Sequence, residues 1–374
     1  MHLNGTKRIL IVCSGFYPEN SPRSFRATEL AKEFARQDHD VVVYIPFKGF
    51  DYRYFSQEHN IIIKNLGKLK FKSIEIRGRS FDRFIRRALK RMMGMLFEYP
   101  NIELMFRVST ALKYESGFDL LISIAVPYPI HWGVAKARSV NSRIAKTWIA
   151  DCGDPYMGDT TDSFRKFFYF KYIEKWFCRK ADFITVPFKG AISAYFPEFH
   201  EKIRVIPQGF SFDKLNLPVY KKTSSFPVFA YAGRFIPGIR DPGEMLKFLS
   251  TCDRSFKFIV YTSQKGMFVP YMNILKEKLE IRDIISHDEL LKVLAGMDFL
   301  INFDNNTTTQ IPSKLIDYSI AGRPVLNITS NFDFSILLEF IDGVYNRRML
   351  LDSPNNYDIR EIAKKFIEIT NNIC

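Results

Sequence analysis

Hydrophobic positions along this chain follow two rhythms. Short β-branched runs bounded by turn residues predict buried strands, and between them apolar residues return every three or four positions, as on one face of a helix. Residues 8–13 carry the run Ile9-Leu10-Ile11-Val12, and residues 14–24 are turn-rich, with Gly15, Pro18 and Pro22. Residues 25–37 place Phe25, Ala27, Leu30, Ala31, Phe34 and Ala35 at helical spacing, and residues 40–45 return to a strand through Val41-Val42-Val43. Strand, helix, strand at this spacing predicts a βαβ unit, the opening of a doubly wound parallel sheet. The same alternation continues with strands at 119–124, 147–150, 182–186 and 203–206 and helices at 80–96, from 131, and at 163–181.

Residues 207–226 break the rhythm with Gly209, Pro218, Lys221, Lys222 and Ser224-Ser225, the composition of a linker. The pattern then restarts. Strands are expected at 228–232, 256–261, 299–303 and 325–328, with helices at 241–250, 288–296 and 312–321 and a final helix at 357–369. This order predicts an α/β protein of two Rossmann-like doubly wound domains facing across a cleft. Residues 1–207 form the first, residues 208–356 the second, and the helix of residues 357–374 is a tail that can pack back toward the first.

Composition narrows the class. The length of 374 residues suits two domains, and 47% hydrophobic with 25% charged residues is a globular balance. Roughly 18 consecutive apolar residues occur nowhere, so no spanning helix is expected. The start of the chain has no secretory pattern, and five scattered cysteines show no metal spacing. Together these imply a cytoplasmic protein with reduced thiols, no disulfide and no metal site. The net charge of +14 is concentrated. Between Lys64 and Arg91, eleven lysines and arginines stand against two acids, Glu75 and Asp82. In residues 80–96, Arg83, Arg86, Arg87, Lys90 and Arg91 accompany Phe84, Ile85, Leu89, Met92 and Met93, which suits a helix lying on an anionic membrane. The alternative is an ordinary helix buried on one face. No nucleic-acid-reading module is present, so nucleic acid is not an expected partner.

Ligands of open parallel sheets sit beyond the carboxyl ends of strands, against helix N-termini. Four polar or glycine-bearing loops occupy such places, at residues 14–23, 127–131, 233–240 and 304–314. In the last, Ser313 and Lys314 open a helix and Asp317 follows one turn on. That arrangement suits an anion at the helix start and a ribose diol beside it, or equally a solvated i,i+3 pair. Arg234 and Arg240 can clamp a diphosphate, or merely border a surface turn. His131 follows a Pro-Tyr-Pro turn, where its ring can meet a sugar hydroxyl or serve structure. Asp151 and Asp154 can ligate a metal, act as acid and base, or cap a turn.

These segments carry a resemblance. Ile9-Leu10-Ile11-Val12, Phe16-Tyr17-Pro18-Glu19 and Glu29-Leu30-Ala31 are similar to the first strand, acceptor-side loop and helix of the retaining GT-B glycosyltransferases of family 4 type, which include sucrose-phosphate synthase-like and bacterial surface-polysaccharide enzymes. Val205-Ile206-Pro207-Gln208-Gly209 resembles their VIPNG element, and Tyr231-Ala232-Gly233-Arg234 their donor-phosphate strand end. Ser313-Lys314-Leu315-Ile316-Asp317-Tyr318, with Ala321-Gly322-Arg323-Pro324-Val325, resembles the KxxEYMAxGxPV signature.

The resemblance implies sugar transfer from a nucleotide-sugar to a saccharide or lipid-linked saccharide, with retention, at the inner face of the membrane. Arg234, Arg240, Lys314 and Ser313 would hold the donor diphosphate, so that no cofactor and no metal are required. Asp317 would bind ribose, Thr309 and Gln310 would lie near the donor sugar, and His131 would touch that sugar; His131 and, from its place at a strand end, Asp151 are the catalytic candidates. Phe16, Tyr17 and Arg23 would line the acceptor side. Thr309 stands where the family has a glutamate, and Asn20-Ser21-Pro22 replaces a glycine pair. A nucleotide-sugar 2-epimerase and a catalytically inactive nucleotide-sugar binder are the alternatives.

Overall fold

The computed structural model describes residues 5–78, 80–159, 165–212, 216–304 and 314–371. The chain divides into two compact units, Met1–Ser211 with Tyr357–Cys374, and Phe212–Asn356.

Among the described residues, unit 1 contains seven parallel strands: β1 (Arg8–Val12), β2 (Asp40–Ile45), β3 (Ile61–Asn65), β4 (Phe118–Ala125), β5 (Ala145–Cys152), β6 (Phe183–Val186) and β7 (Ile203–Val205). Their order is β3-β2-β1-β4-β5-β6-β7, with every neighbouring pair parallel. Alternation along β1 divides its side chains between two cores: Leu10 and Val12 enter one, Ile9 and Ile11 the other. The helices are α1 (Pro22–Arg36), α2 (Arg53–His59), α3 (Ser80–Phe97), α4 (Ile102–Leu112), α5 (Pro129–Val140) and α6 (Phe170–Lys180). Helix α1 starts three residues before the apolar period, because Ser21 caps it by accepting from Ser24 N at 3.2 Å and Pro22 occupies its first position. Helix α6 starts later than its pattern, after i,i+3 turns at Phe167 and Phe168.

Unit 2 repeats the scheme with β8 (Val228–Ala232), β9 (Lys257–Tyr261), β10 (Leu279–Arg282), β11 (Phe299–Phe303) and β12 (Val325–Ile328), ordered β10-β9-β8-β11-β12 and all parallel. Its helices are α7 (Gly243–Ser250), α8 (Val269–Leu275), α9 (His287–Ala295), α10 (Lys314–Ala321) and α11 (Ser335–Ile341). Phe229 stands between Phe258 and Phe299 at ring-centroid distances of 5.0 and 4.4 Å, an aromatic spine across the central strands.

The last helix, α12 (Ile359–Asn371), belongs to unit 1. Ile359, Ile362, Ala363, Phe366 and Ile367 form one stripe that enters the core beside α1. In each sheet the strand order reverses beside one central strand, β1 in unit 1 and β8 in unit 2, where connections leave in opposite directions. These switch points open crevices at the strand ends, and the loops after β1 and β8 border them.

Candidate active site

In unit 2 the expected diphosphate residues gather around Tyr231, the fourth residue of β8. Its hydroxyl donates to the Arg234 carbonyl oxygen at 3.0 Å, and Lys314 Nζ lies 4.0 Å from the centre of its ring. The Arg240 guanidinium bonds the same tyrosine side chain, countering the burial that raises its hydroxyl to about 12. One ring thus links three of the expected residues, with Arg234 itself exposed. Gly233 has φ +138°, a conformation that a side chain would strain. Beyond it, Gln264 clamps the loop by accepting from Phe235 N at 2.7 Å and donating to Phe235 O at 3.1 Å. Sequence reasoning missed Gln264, since 29 residues separate the partners.

Helix α10 is anchored by Tyr318, whose hydroxyl accepts from Ala232 N at 3.4 Å and donates to Ile301 O at 2.9 Å. Those bonds join it to β8 and β11 at the switch point and place Lys314 one turn earlier. Lys314 is 9% exposed, and among the described residues nothing accepts a hydrogen bond from its Nζ. Burial first, and the charge of Arg240 second, push its pKa well below the ordinary lysine value. A buried ammonium facing another cation lacks the anion that would stabilise it. Asp317 is held by a neighbour unseen in the sequence pattern: His287 Nε2 lies 2.8 Å from its Oδ1. Ser313, Thr309 and Gln310 lie outside the described residues. A cavity of about 630 Å³ opens at the ends of β11 and β12, lined by Gly238, Asp241, Glu244, Tyr271, Phe303 and Thr329 among others.

In unit 1 the loop after β1 carries an aromatic cluster. Tyr17 stacks on Phe55 at 5.0 Å and meets Phe50 edge-on at 5.7 Å, while Phe16 is buried against Phe55 and Tyr52. Phe16, Phe50 and Tyr52, with the ion pair of Glu19 and Lys48 at 2.6 Å, line a cavity of about 430 Å³. Arg23 crosses Gly153 so closely that a Cβ there would fall 1.9 Å from the guanidinium carbon.

Two expectations are corrected. His131 is wholly buried: Nδ1 bonds Ser123 Oγ at 2.7 Å, Nε2 faces Cys152 Sγ at 3.4 Å, and the ring stacks on Phe177. Burial lowers its pKa to about 3, so it is a neutral packing residue rather than one that meets a sugar. Asp151 is also buried, taking Arg26 Nε at 3.0 Å and Nη2 at 2.9 Å, and Thr185 Oγ1 at 2.6 Å. Its carboxylate is held below the ordinary range by Arg26 against burial and is committed to structure, not to acid–base work.

Helix α3 buries none of its residues. Arg83, Arg86, Arg87, Lys90 and Arg91 are exposed, and so are Phe81, Phe84, Ile85, Leu89 and Met92. Met93, Gly94, Met95 and Leu96, toward the end of the helix, are half-buried. Among the described residues no helix is long and apolar enough to cross a membrane, and no group of three or more His, Cys, Asp or Glu residues is placed to hold a metal ion.

No family model matches the sequence, and no curated protein does. Solved structures do. The lipopolysaccharide outer core galactosyltransferase WaaB in its apo form is similar with a TM-score of 0.62 at 13% identity, covering 98% of this chain and 99% of that one. HepE of Anabaena, in complex with UDP and glucose, gives 0.58 at 12% identity, with 98% and 100% covered. The G117R mutant of TarM from S. aureus, in complex with fondaparinux, alpha-GlcNAc-glycerol and UDP, gives 0.55 at 13%, with 98% and 93% covered. Identities this low speak to architecture. The chain has the GT-B glycosyltransferase fold.

Proposed function

We propose that the protein is a glycosyltransferase that moves a sugar from a nucleotide-sugar to a saccharide or lipid-linked saccharide, in surface polysaccharide synthesis. The observation that carries this reading is Lys314, buried beside Arg240 with no anion among the described residues to match it. A donor diphosphate supplies the missing charge. HepE, which shares the fold, is solved with UDP and glucose and with UDP-glucose, which supports a nucleotide-sugar as the ligand here.

In this reading Lys314, Arg240, Arg234 and Ser313 bind the two phosphates. As the anomeric C–O bond lengthens, negative charge builds on the departing phosphate oxygen, and cations already in place stabilise it. The chain's own cations thereby take the part a divalent metal would otherwise play. Asp317 accepts from the ribose hydroxyls. With His131 and Asp151 withdrawn into the core, acceptor activation falls to the departing phosphate, which accepts the acceptor's proton on the same face and so gives retention. The aromatic cavity beside Phe16 and Tyr17 suits the apolar face of an acceptor sugar, with Arg23 nearby.

Helix α3 fits the surface of an anionic membrane, since its apolar side chains and cations are both exposed where headgroups would meet them. This supports a peripheral position at the cytoplasmic face, within reach of a lipid-linked acceptor. A second reading, a nucleotide-sugar binder without turnover, is favoured by the burial of both side chains expected to be catalytic. Measuring nucleoside diphosphate release from a panel of nucleotide-sugars, with and without lipid-linked acceptor, separates the two. Acceptor-dependent release is expected; binding with no release under any acceptor contradicts transfer.

A further inference from the structure

We infer that His287 is a positioning residue for the donor ribose, holding the Asp317 carboxylate in the orientation that accepts the sugar's hydroxyls. This rests on the donor-site reading above and adds a residue to it.

Three observations place His287 there. It is the first residue of α9, fixed by a capping box in which Ser286 Oγ accepts from Glu289 N and Glu289 Oε2 accepts from Ser286 N at 3.3 Å. Helix α9 packs against α10, and the imidazole reaches across to Asp317, with Nε2 2.8 Å from Oδ1. The bond engages one carboxylate oxygen. Among the described residues nothing bonds Oδ2, and the Asp317 side chain keeps 17% of its exposure.

The chemistry follows from that division. A ribose diol offers two hydroxyl donors, and a carboxylate with one oxygen fixed presents the remaining lone pairs in a set plane. Without the imidazole, the side chain on the first turns of α10 would rotate, and binding would bear the cost of immobilising it. Two carboxylates face the ring, Asp317 from α10 and Asp288 from α9 itself, the latter 3.9 Å from Nδ1. They act on the ring in the same sense, with the Asp317 bond the largest influence, and its pKa is raised above the ordinary 6.5 despite burial. Protonation of the ring, which Asp317 favours, makes the bond charge-assisted.

The test compares a ligand that has a ribose with one that does not. Calorimetry would measure inorganic pyrophosphate and whichever of UDP, GDP and ADP binds tightest, on the full chain. His287→Ala is expected to weaken the nucleotide about tenfold, the order of one hydrogen bond to a charged group, while pyrophosphate affinity stays unchanged. His287→Gln, which keeps a donor near the Nε2 position, is expected to recover most of that loss. The wild-type ratio of nucleotide to pyrophosphate affinity, divided by the same ratio in His287→Gln at each pH so that ionisation of the ligands cancels, should fall as pH rises from about 6 to about 9. A role confined to packing would move neither ratio. If the wild type binds neither ligand, the donor-site reading fails and takes this inference with it. If it binds both and the ratios are unchanged in His287→Ala and His287→Gln, the inference alone is overturned. His287→Gln also carries the test should His287→Ala unfold.

Discussion

Each unit buries charge close to the carboxyl ends of its strands, but under opposite terms. In unit 1 Asp151 takes two bonds from Arg26 and one from Thr185. Arg26 also donates to the carbonyls of Ile206 and Pro207 and lies over the Phe366 ring at 5.1 Å, joining α1, β5, the chain after β7 and α12. In unit 2 Lys314 has an aromatic ring beneath it and a cation nearby, yet no acceptor among the described residues. Burying a charge costs several kcal/mol unless it is paired and bonded. For Asp151 that cost is offset within the protein; for Lys314 no offsetting anion stands among the described residues. Of the two, the residue whose partner is missing is the one to test for a ligand.

Breaking the paired site should have the largest effect. Asp151→Ala strands Arg26 in the core and is expected to cost about 3–5 kcal/mol in urea unfolding, with nucleotide affinity unchanged in the folded fraction. The unpaired site should respond with the opposite sign. Lys314→Met removes a buried ammonium and is expected to stabilise the ligand-free protein by roughly 1 kcal/mol, read by the same unfolding experiment. Because the folded-state pKa of Lys314 is depressed, its penalty is fully present below that pKa. It fades as pH rises toward the ordinary lysine value, so the gain from Lys314→Met should shrink in alkaline buffer.

His131 sharpens the contrast through acid. Its folded pKa of about 3 lies below the ordinary 6.5, so the stability it contributes is complete above 6.5 and is lost as pH falls through that window. His131→Gln should flatten the acid limb of a melting-temperature profile between about pH 6.5 and about pH 4, at a small cost near neutrality. The smallest effect on stability is expected at α3. Replacing Arg86, Arg87, Lys90 and Arg91 by Glu should shift unfolding by no more than about 0.5 kcal/mol. The same change should abolish flotation with phosphatidylglycerol-rich vesicles; flotation that persists would contradict the membrane assignment.

What the sequence revealed and what it concealed have separate physical causes. The central strands were legible, because burial on both faces makes runs such as Ile9–Val12 and Phe299–Phe303 nearly continuous in apolar residues. Strands β3 and β10 were missed. They are edge strands, and Lys64 and Asn65 in one, Glu280 and Arg282 in the other, interrupt the signal. The amphipathic character of α3 could be read directly, but not that Phe81, Phe84, Ile85, Leu89 and Met92 stay exposed. His131 and Asp151 do sit beside strand ends as their position suggests. Their direction was hidden, since it is set by Ser123, Cys152 and Arg26, the last 125 residues from Asp151. The Lys314 motif was visible and its burial was not. His287 had no signal, because a lone histidine 30 residues from Asp317 acquires meaning only when α9 meets α10.

The most direct measurement is calorimetric titration of pyrophosphate and a nucleoside diphosphate into wild type and Lys314→Met, each in two buffers of different ionisation enthalpy. A diphosphate that gives Lys314 its missing anion should restore the ammonium, so wild-type binding should take up protons at alkaline pH. Lys314→Met should lose at least about 100-fold in affinity, roughly 2.7 kcal/mol, together with the uptake. Equal affinity in both proteins, with no proton uptake in either, would contradict an anion site built around Lys314.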